Sequence, residues 1–411
     1  MGLEDLKLLR PNEIMQIASQ RALTSAELLP LASRSFSVPI AMLEHAKGKN
    51  EANKRAYVEM AYSLFRALDE IEDASKELNN EEKRRVINGL AVIVGEVTRR
   101  EPNCKGIEDI IEGNDFRSII KRAMDGAVDE EKRVFLKHFG KGVVLRDLYE
   151  IGREENGKEI KEAMDYCIQG MAHGMTKFLG RPIQTSDELK EYCYHVAGRI
   201  GSGFLNKIVE LRDRDETGRP IILRGDLAEK FGEYLQETNI AKNIYTDYKE
   251  GRRFLPDEWR RRDVAFETMM DLNEKGIGPE DAREKMFKKI LDFQEKNFRD
   301  SVEYVESIPQ HLNGYRAFCL ISLITAQKTL EHLRVSGAEK VFSGEESATK
   351  IQYGLKHILD FSYNISCFED GMHANNWLSN YRREPDSFSF KPVEYEMWAW
   401  RWFPGSDLKN K

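Results

Sequence analysis

The chain has 411 residues, 41% of them hydrophobic and 32% charged, which is enough to bury a large core and fits a globular protein rich in exposed helix. Its net charge of −7, without a basic block, argues against a nucleic-acid partner. Five scattered cysteines with no CxxC pair read as reduced core residues of a cytoplasmic protein, not a disulfide frame or zinc site, and the eight histidines form no HExxH. The N-terminus lacks a basic-then-apolar signal sequence. Nothing approaches the run of ~18 apolar residues that a membrane span needs.

Residues 1 to 30 read as two short helices broken at Arg10-Pro11-Asn12, the second opening on the capping-type Thr24-Ser25-Ala26-Glu27. Ser33-Arg34-Ser35-Phe36 leads into Pro39 and a further helix; taken alone it is a helix cap with a surface arginine. Residues 54 to 75 contain no Gly or Pro and are expected to be helical. There Asp69, Glu72 and Asp73 stand at i, i+3 and i+4, on one face, with Arg66 a turn earlier. Carboxylates so close repel one another unless a cation lies between them. Mg²⁺ takes such oxygens, keeps several waters and bridges to phosphates. A solvated acidic face would show the same spacing in a chain with 70 acids. Tyr62, a turn before Arg66, is either a core aromatic or a ring facing a carbocation.

Residues 76 to 160 read as charged helices and loops with little chemical content. From 161 a longer helix carries Gly170, Ala172 and Gly174 beside Met171 and Met175, a pattern for close helix packing or for ligand space. Between 189 and 210, Tyr192, Val196, Ile200, Phe204 and Ile208 mark an apolar stripe at i+4 spacing, while Ala197, Gly198, Gly201, Ser202 and Gly203 crowd the same helix. Each interior glycine costs ~1 kcal/mol relative to alanine. Either a neighbouring helix comes very close, or a long apolar substrate fills the volume. No strand precedes Gly201-Ser202-Gly203 and the third glycine is missing, so a Rossmann domain is not indicated.

After a polar loop at 212 to 220, the stretch Tyr234 to Asp247 reads as helix and carries Asn239, Asn243 and Asp247 at successive i+4 steps, a slanting row on one side. Lys242 is beside the row, and Arg252 and Arg253 follow in Gly251-Arg-Arg-Phe-Leu-Pro256. Two oxygen-bearing helices with arginines nearby could clamp metal ions and a diphosphate, for which the planar arginine fork is suited. Residues 279 to 308 read as an amphipathic helix, 312 to 334 as an apolar one around Phe318 and Leu323, 336 to 350 as a loop, and 350 to 380 as a last helix. In the tail, 385 to 411, Trp398, Trp400 and Trp402 fall on one side if the piece is extended. Packing on the helical body is preferred over a peripheral membrane contact, because a basic companion face is lacking. With no repeat and hardly any strand signal, the expectation is one all-α domain over 1–411, its helices surrounding a deep central cavity.

Five patches, in order, resemble the squalene/phytoene synthase family, whose enzymes join two prenyl diphosphates head to head. They are Ser33-Arg-Ser-Phe36, Arg66-Ala-Leu-Asp-Glu-Ile-Glu-Asp73, Tyr192-Cys-Tyr-His-Val-Ala-Gly198, Gln236-Glu-Thr-Asn-Ile-Ala-Lys-Asn243 and Arg252-Arg-Phe-Leu-Pro256. Ala317-Phe-Cys319, Val341-Phe-Ser-Gly344 and the chain length favour the squalene synthase branch. The resemblance implies an isoprenoid-synthase helical bundle. It assigns prenyl diphosphate binding to Ser33, Arg34, Phe36, Arg66, Gln236, Lys242, Arg252 and Phe318. It assigns Mg²⁺ to Asp69, Glu72, Asp73, Asn239, Asn243 and Asp247, and catalytic roles to Tyr62, Tyr194 and His195. The implied reaction runs from two farnesyl diphosphates through a cyclopropyl diphosphate to squalene, with NADPH as reductant. Squalene synthases of eukaryotes typically end in a membrane anchor; the expectation is either a lineage without one, which the tail favours, or a chain that has been trimmed.

Four departures from the family pattern bear on this. Its acids at the positions of Asn243 and Thr246 are missing, which should weaken metal binding at that end. The tyrosine before Val-Ala-Gly is His195, with Tyr194 adjacent; His195 is a candidate proton carrier or an ordinary core histidine. The Pro-Gln after Phe-Cys is Ser322-Leu323, and a basic pair near the NADPH side is Gln352-Tyr353. The first condensation therefore follows more directly than the reduction. Two rival readings stay open: a diverged synthase with a non-reduced product, and a non-catalytic prenyl-lipid binder, against which the acidic set argues.

Overall fold

The described residues are arranged almost entirely as helices, and the one β feature among them is a bridge between Arg214 and Pro220. The computed structural model describes residues 11–32, 34–44, 49–73, 78–100, 107–127, 130–260, 262–270 and 277–344. Ser33, Gln352, Tyr353, the helix expected at 350 to 380 and the Trp-rich tail lie outside these residues, as does the Arg34 side chain.

The chain opens with α1 (Pro11–Gln20), α2 (Ser25–Ala32) and α3 (Arg34–Ala41), then the long acidic helix α4 (Lys49–Asp73). The capping expectation holds: Thr24 N–H donates to Glu27 Oε2 at 2.8 Å, and Glu27 N–H to Thr24 Oγ1 at 3.3 Å. Next come α5 (Asn80–Arg99), α6 (Ile107–Ile111), α7 (Asn114–Asp125), α8 (Glu130–Phe139), α9 (Val143–Ile151) and α10 (Gly157–Phe178). Asn79 and Glu82 form a second capping box at the start of α5.

One continuous helical stretch follows, from α11 (Ser186–Cys193) to α12 (Asn206–Arg212), interrupted by wide π turns at Tyr194–Gly198 and Gly201–Leu205. Arg199 N–H reaches back to Tyr194 O, and Asn206 N–H to Gly201 O, the five-residue step of a π turn. The second acidic helix is α13 (Gly225–Lys249), followed by α14 (Phe266–Met270), α15 (Ile277–Ser307) and α16 (Asn313–Ser343). The loop expected at 336 to 350 begins differently. At Gly337 (φ 80°, ψ 166°) the chain kinks and then stays helical to Ser343, because Val341 and Phe342 are buried beyond the kink.

The core runs without interruption through these helices. Leu64, Leu68 and Ile71 of α4, Met164 and Ile168 of α10, and Phe204 and Phe231 are essentially removed from water. α13 packs against the π-turn segment, α15 and α16, while α10 packs against α5 and the same π turns. The question raised by the glycines is settled in favour of close packing. A Cβ on Gly201 would lie 2.2 Å from Ala228 O, and one on Gly232 2.4 Å from Ala197 O. Backbone meets backbone there, which holds α13 at fixed depth against the π-turn segment. Cys167, Cys193 and Cys319 are buried and free, as expected of core cysteines.

Candidate functional site

The two acidic helices, far apart in sequence, come together at their C-terminal ends. The link is Arg252, in the turn after α13. Its backbone N–H bonds Asp247 O at 2.7 Å, closing the helix. Its guanidinium then donates to Asp247 Oδ1 at 2.7 Å, pairs with Glu250 at 2.6 Å and reaches across to Asp73 on α4. The segment is held from behind: Ile183 N–H donates to Arg253 O at 3.1 Å, and Asp257 N–H to Ile183 O at 3.0 Å. Arg66 has a similar role within α4, donating to Asp69 and Glu70. Lys132 of α8 closes on the other oxygen of Glu70 at 3.1 Å.

The three acids of the first stretch do not share one environment. Asp69 and Asp73 keep side-chain exposures of 36% and 24%, facing the arginines. Glu72 is buried on the other flank, where Tyr192 Oη donates to it at 3.2 Å. The i+3 step to Glu72 turns it toward Tyr192, whose ring lies 4.8 Å from that of Phe254. Burial, reinforced by Asp69 and Asp73, pushes its carboxyl up to about 8. Lys83 of α5 caps this end of α4, donating to Glu72 O at 2.7 Å.

On α13 the row is present. Asp247 is buried, Asn243 half-buried and Asn239 exposed, with Asn243 Nδ2 donating to Asn239 Oδ1 at 3.2 Å. Burial raises Asp247 to about 6, against the pull of Arg252, and it also raises Asp69 despite Arg66. Lys242 is shifted down, again by burial, although Asp247 favours its charge. With Arg66, Arg252 and Lys242 in place, burial still outweighs the pull of the cations on Asp69 and Asp247. Clustered carboxylate and amide oxygens are a hard donor set that suits Mg²⁺, so the residues fit that ion. Asp69, Asp73, Asp247 and the Asn row are the side chains that would hold it.

The remaining predicted residues divide. Tyr62 is half-buried, a turn before Arg66, its ring 5.4 Å from that of Phe36. Gln236 is half-buried on α13. Phe318 is buried in α16, its ring 6.2 Å from that of Tyr315. Tyr194 and His195 turn elsewhere. Tyr194 is pushed up to about 12 by burial and a hydrogen bond with Tyr166 of α10. His195 is held below its ordinary value by burial and His173. Its ring neighbours are His173 and Tyr194, with Glu191 3.9 Å away, none of them on α4 or α13.

Sequence reasoning missed Glu70, Glu250 and Lys132. Glu70 had a signal, its i+4 spacing from Arg66; Lys132, in a stretch read as chemically empty, had none.

The squalene/phytoene synthase family profile matches residues 32–352. The chain belongs to that family. The curated relatives it matches are squalene synthases, on the branch its motifs favour. The squalene synthase ERG9 of Gibberella zeae is 26% identical over 251 residues, 59% of this chain and 45% of that one. A probable squalene synthase of Neurospora crassa is 27% identical over 236 residues, 56% of this chain and 40% of that one. The chain thus spans under half the length of these relatives. The solved structure of TcSQS with the ligand BPH1237 superimposes with a TM-score of 0.63 at 20% identity, covering 93% of this chain and 95% of that one. That likeness confirms the all-α family fold.

Proposed function

We propose that the chain is a prenyltransferase that condenses two prenyl diphosphates, farnesyl diphosphate foremost, head to head. The observation that carries this is the Arg252 bridge between Asp73 and Asp247, which gathers the acids of α4 and α13 around one cation. Mg²⁺ bound there would neutralise the diphosphate as its C–O bond ionises. Arg66, Arg252 and Lys242 bind the departing diphosphate through charge-assisted hydrogen bonds, with Arg34 as a further donor. Glu70, gripped by Lys132, orients Arg66 for that task. Tyr62 and Phe36, whose rings stand 5.4 Å apart, would turn their faces to the allylic cation and help shield it from water. The alkene of a second prenyl diphosphate would then attack that cation, and loss of a proton from the ionised carbon would close the ring to a cyclopropyl diphosphate, with inorganic diphosphate and the proton released.

The finer reading adds reduction by NADPH to squalene. It rests on the relatives, since Gln352 and Tyr353 lie outside the described residues. A cytoplasmic protein organised as one domain over 1–411 completes the proposal.

The test is incubation of the purified protein with farnesyl diphosphate and Mg²⁺, with and without NADPH, followed by product analysis. Squalene formed only with NADPH is the expected outcome. A cyclopropyl diphosphate or unreduced alcohol in both arms keeps the condensation and removes the reduction. No turnover of any prenyl diphosphate overturns the proposal.

A further inference from the structure

A second polar cluster lies at the seam between α10 and the π-turn segment, and the proposed condensation uses none of it. His173 of α10, Glu191 of α11 and His195 of the first π turn each offer a ligand atom, all within 4.8 Å of one another. The two imidazole rings stand 5.0 Å apart at 69°. His195 is seated here because α10 has a glycine opposite: a Cβ on Gly174 would lie 2.5 Å from His195 Cβ. In this seat His195 Nδ1 is buried without a hydrogen-bond partner. The other ring nitrogen, Nε2, is the one that lies toward Glu191, 3.9 Å from its Oε1, and is the atom placed to ligate.

We propose that His173, Glu191 and His195 form a binding site for a borderline transition-metal ion of the Zn²⁺ class. Two imidazoles and one carboxylate are a three-ligand set that leaves a fourth, water-filled position on tetrahedral zinc. The same set is a poor match for Mg²⁺, which prefers oxygen donors and octahedral geometry. The site is therefore chemically distinct from the acids of α4 and α13. Two cations oppose it: Arg199, whose charge bears on His195, and Lys177, a turn along α10 from His173, which donates to Glu191 and must be displaced when the metal enters. Bound metal would tie α10 to α11 across the seam.

Co²⁺ serves as the probe, because its visible d–d absorption reports four-coordinate ligation. Chelator-treated protein is titrated with Co²⁺ in millimolar Mg²⁺, which fills the acidic site. The expected result is one absorbing Co²⁺ per chain, displaced by Zn²⁺. His173 is exposed, so His173→Ala leaves the fold intact and should weaken Co²⁺ by at least about tenfold. Lys177→Ala should do the opposite and tighten it, by freeing Glu191. Equal affinity in His173→Ala and the unaltered chain overturns the proposal. So does Co²⁺ absorption that survives His173→Ala and disappears in Asp69→Asn, or the lack of any absorption at millimolar Co²⁺.

Discussion

Arg252 stands among three carboxylates, Asp73, Asp247 and Glu250, with only 16% of its side chain exposed. Removing it leaves negative charge in a poorly hydrated place. Arg252→Ala should destabilise the fold by about 3 kcal/mol, read from the midpoint of urea denaturation. Millimolar Mg²⁺ should recover some of that loss, since a divalent cation can stand where the guanidinium stood. A midpoint equal to that of the unaltered chain would show that the bridge carries no net energy. His138 makes a second prediction, about acid. It is buried, and its Nδ1 accepts the Leu23 N–H at 3.1 Å, so the folded ring is neutral. Burial, with help from Lys141 and Lys137, lowers its pKa from 6.5 to about 4. The unfolded chain takes up the proton first as pH falls below 6.5. The contribution of His138 is therefore full above pH 6.5, declines between 6.5 and about 4, and is flat below, with about 3 kcal/mol at stake. His138→Gln, which keeps an acceptor for Leu23, should flatten that stretch of the pH–stability curve.

At the scale of elements, the glycines of α13 and the π-turn segment behave unlike ordinary helical glycines. Alanine normally stabilises a helix interior. At Gly201 and Gly232 it would push against carbonyls 2.2 and 2.4 Å from the new carbon, so each substitution should cost about 1–3 kcal/mol in denaturant titrations. Gly225→Ala is the control: its new carbon meets only Ser202 Cβ, at 3.8 Å, and should change stability by under about 0.5 kcal/mol. These elements also show what the sequence can and cannot tell. The capping box at Thr24 is written in adjacent residues, and the acidic helices in i+4 spacings, so both could be read directly; the box at Asn79 carries the same signal and was passed over. The glycines announced a missing side chain but not what fills the gap. Helix α13 fills it, and that depends on a partner distant in the chain. Glu72 looked equivalent to Asp69 and Asp73 because spacing fixes the side of a helix, not the depth of its surroundings. Tyr192 set that depth.

The molecule as a whole assembles the acidic site from pieces that no local segment contains: α4, α13, the turn at Arg252, and α8 through Lys132. Ligands that span these pieces should stabilise the entire fold. Mg²⁺ with inorganic diphosphate is expected to raise the melting temperature together more than either does alone, worth about 2.7 kcal/mol when the ligand is at a hundred times its Kd. Asp73→Asn should abolish the joint effect. If the variant and the unaltered chain shift equally, α4 contributes nothing to binding. The all-α bundle was legible from period and composition. The meeting of α4 with α13 was suggested by two oxygen-bearing helices with arginines nearby and strengthened by the family resemblance, because spacing within a helix says nothing by itself about which helix lies opposite.

The two π turns bear on rotational phase. Tyr192, Val196, Ile200, Phe204 and Ile208 recur every fourth residue, which demands 4.0 residues per turn, whereas an α-helix has about 3.6 and would swing such a stripe round by about 160° over its length. Each π turn inserts the equivalent of one extra residue, and two of them bring the stripe back into line. Tyr192, Val196, Phe204 and Ile208 are accordingly all buried. The segment is thus two residues out of step with a regular helix. Deleting Ala197 should let one π turn relax to α geometry with little loss of stability. Deleting a residue from the regular helix of α12 instead should rotate everything beyond it by about 100°.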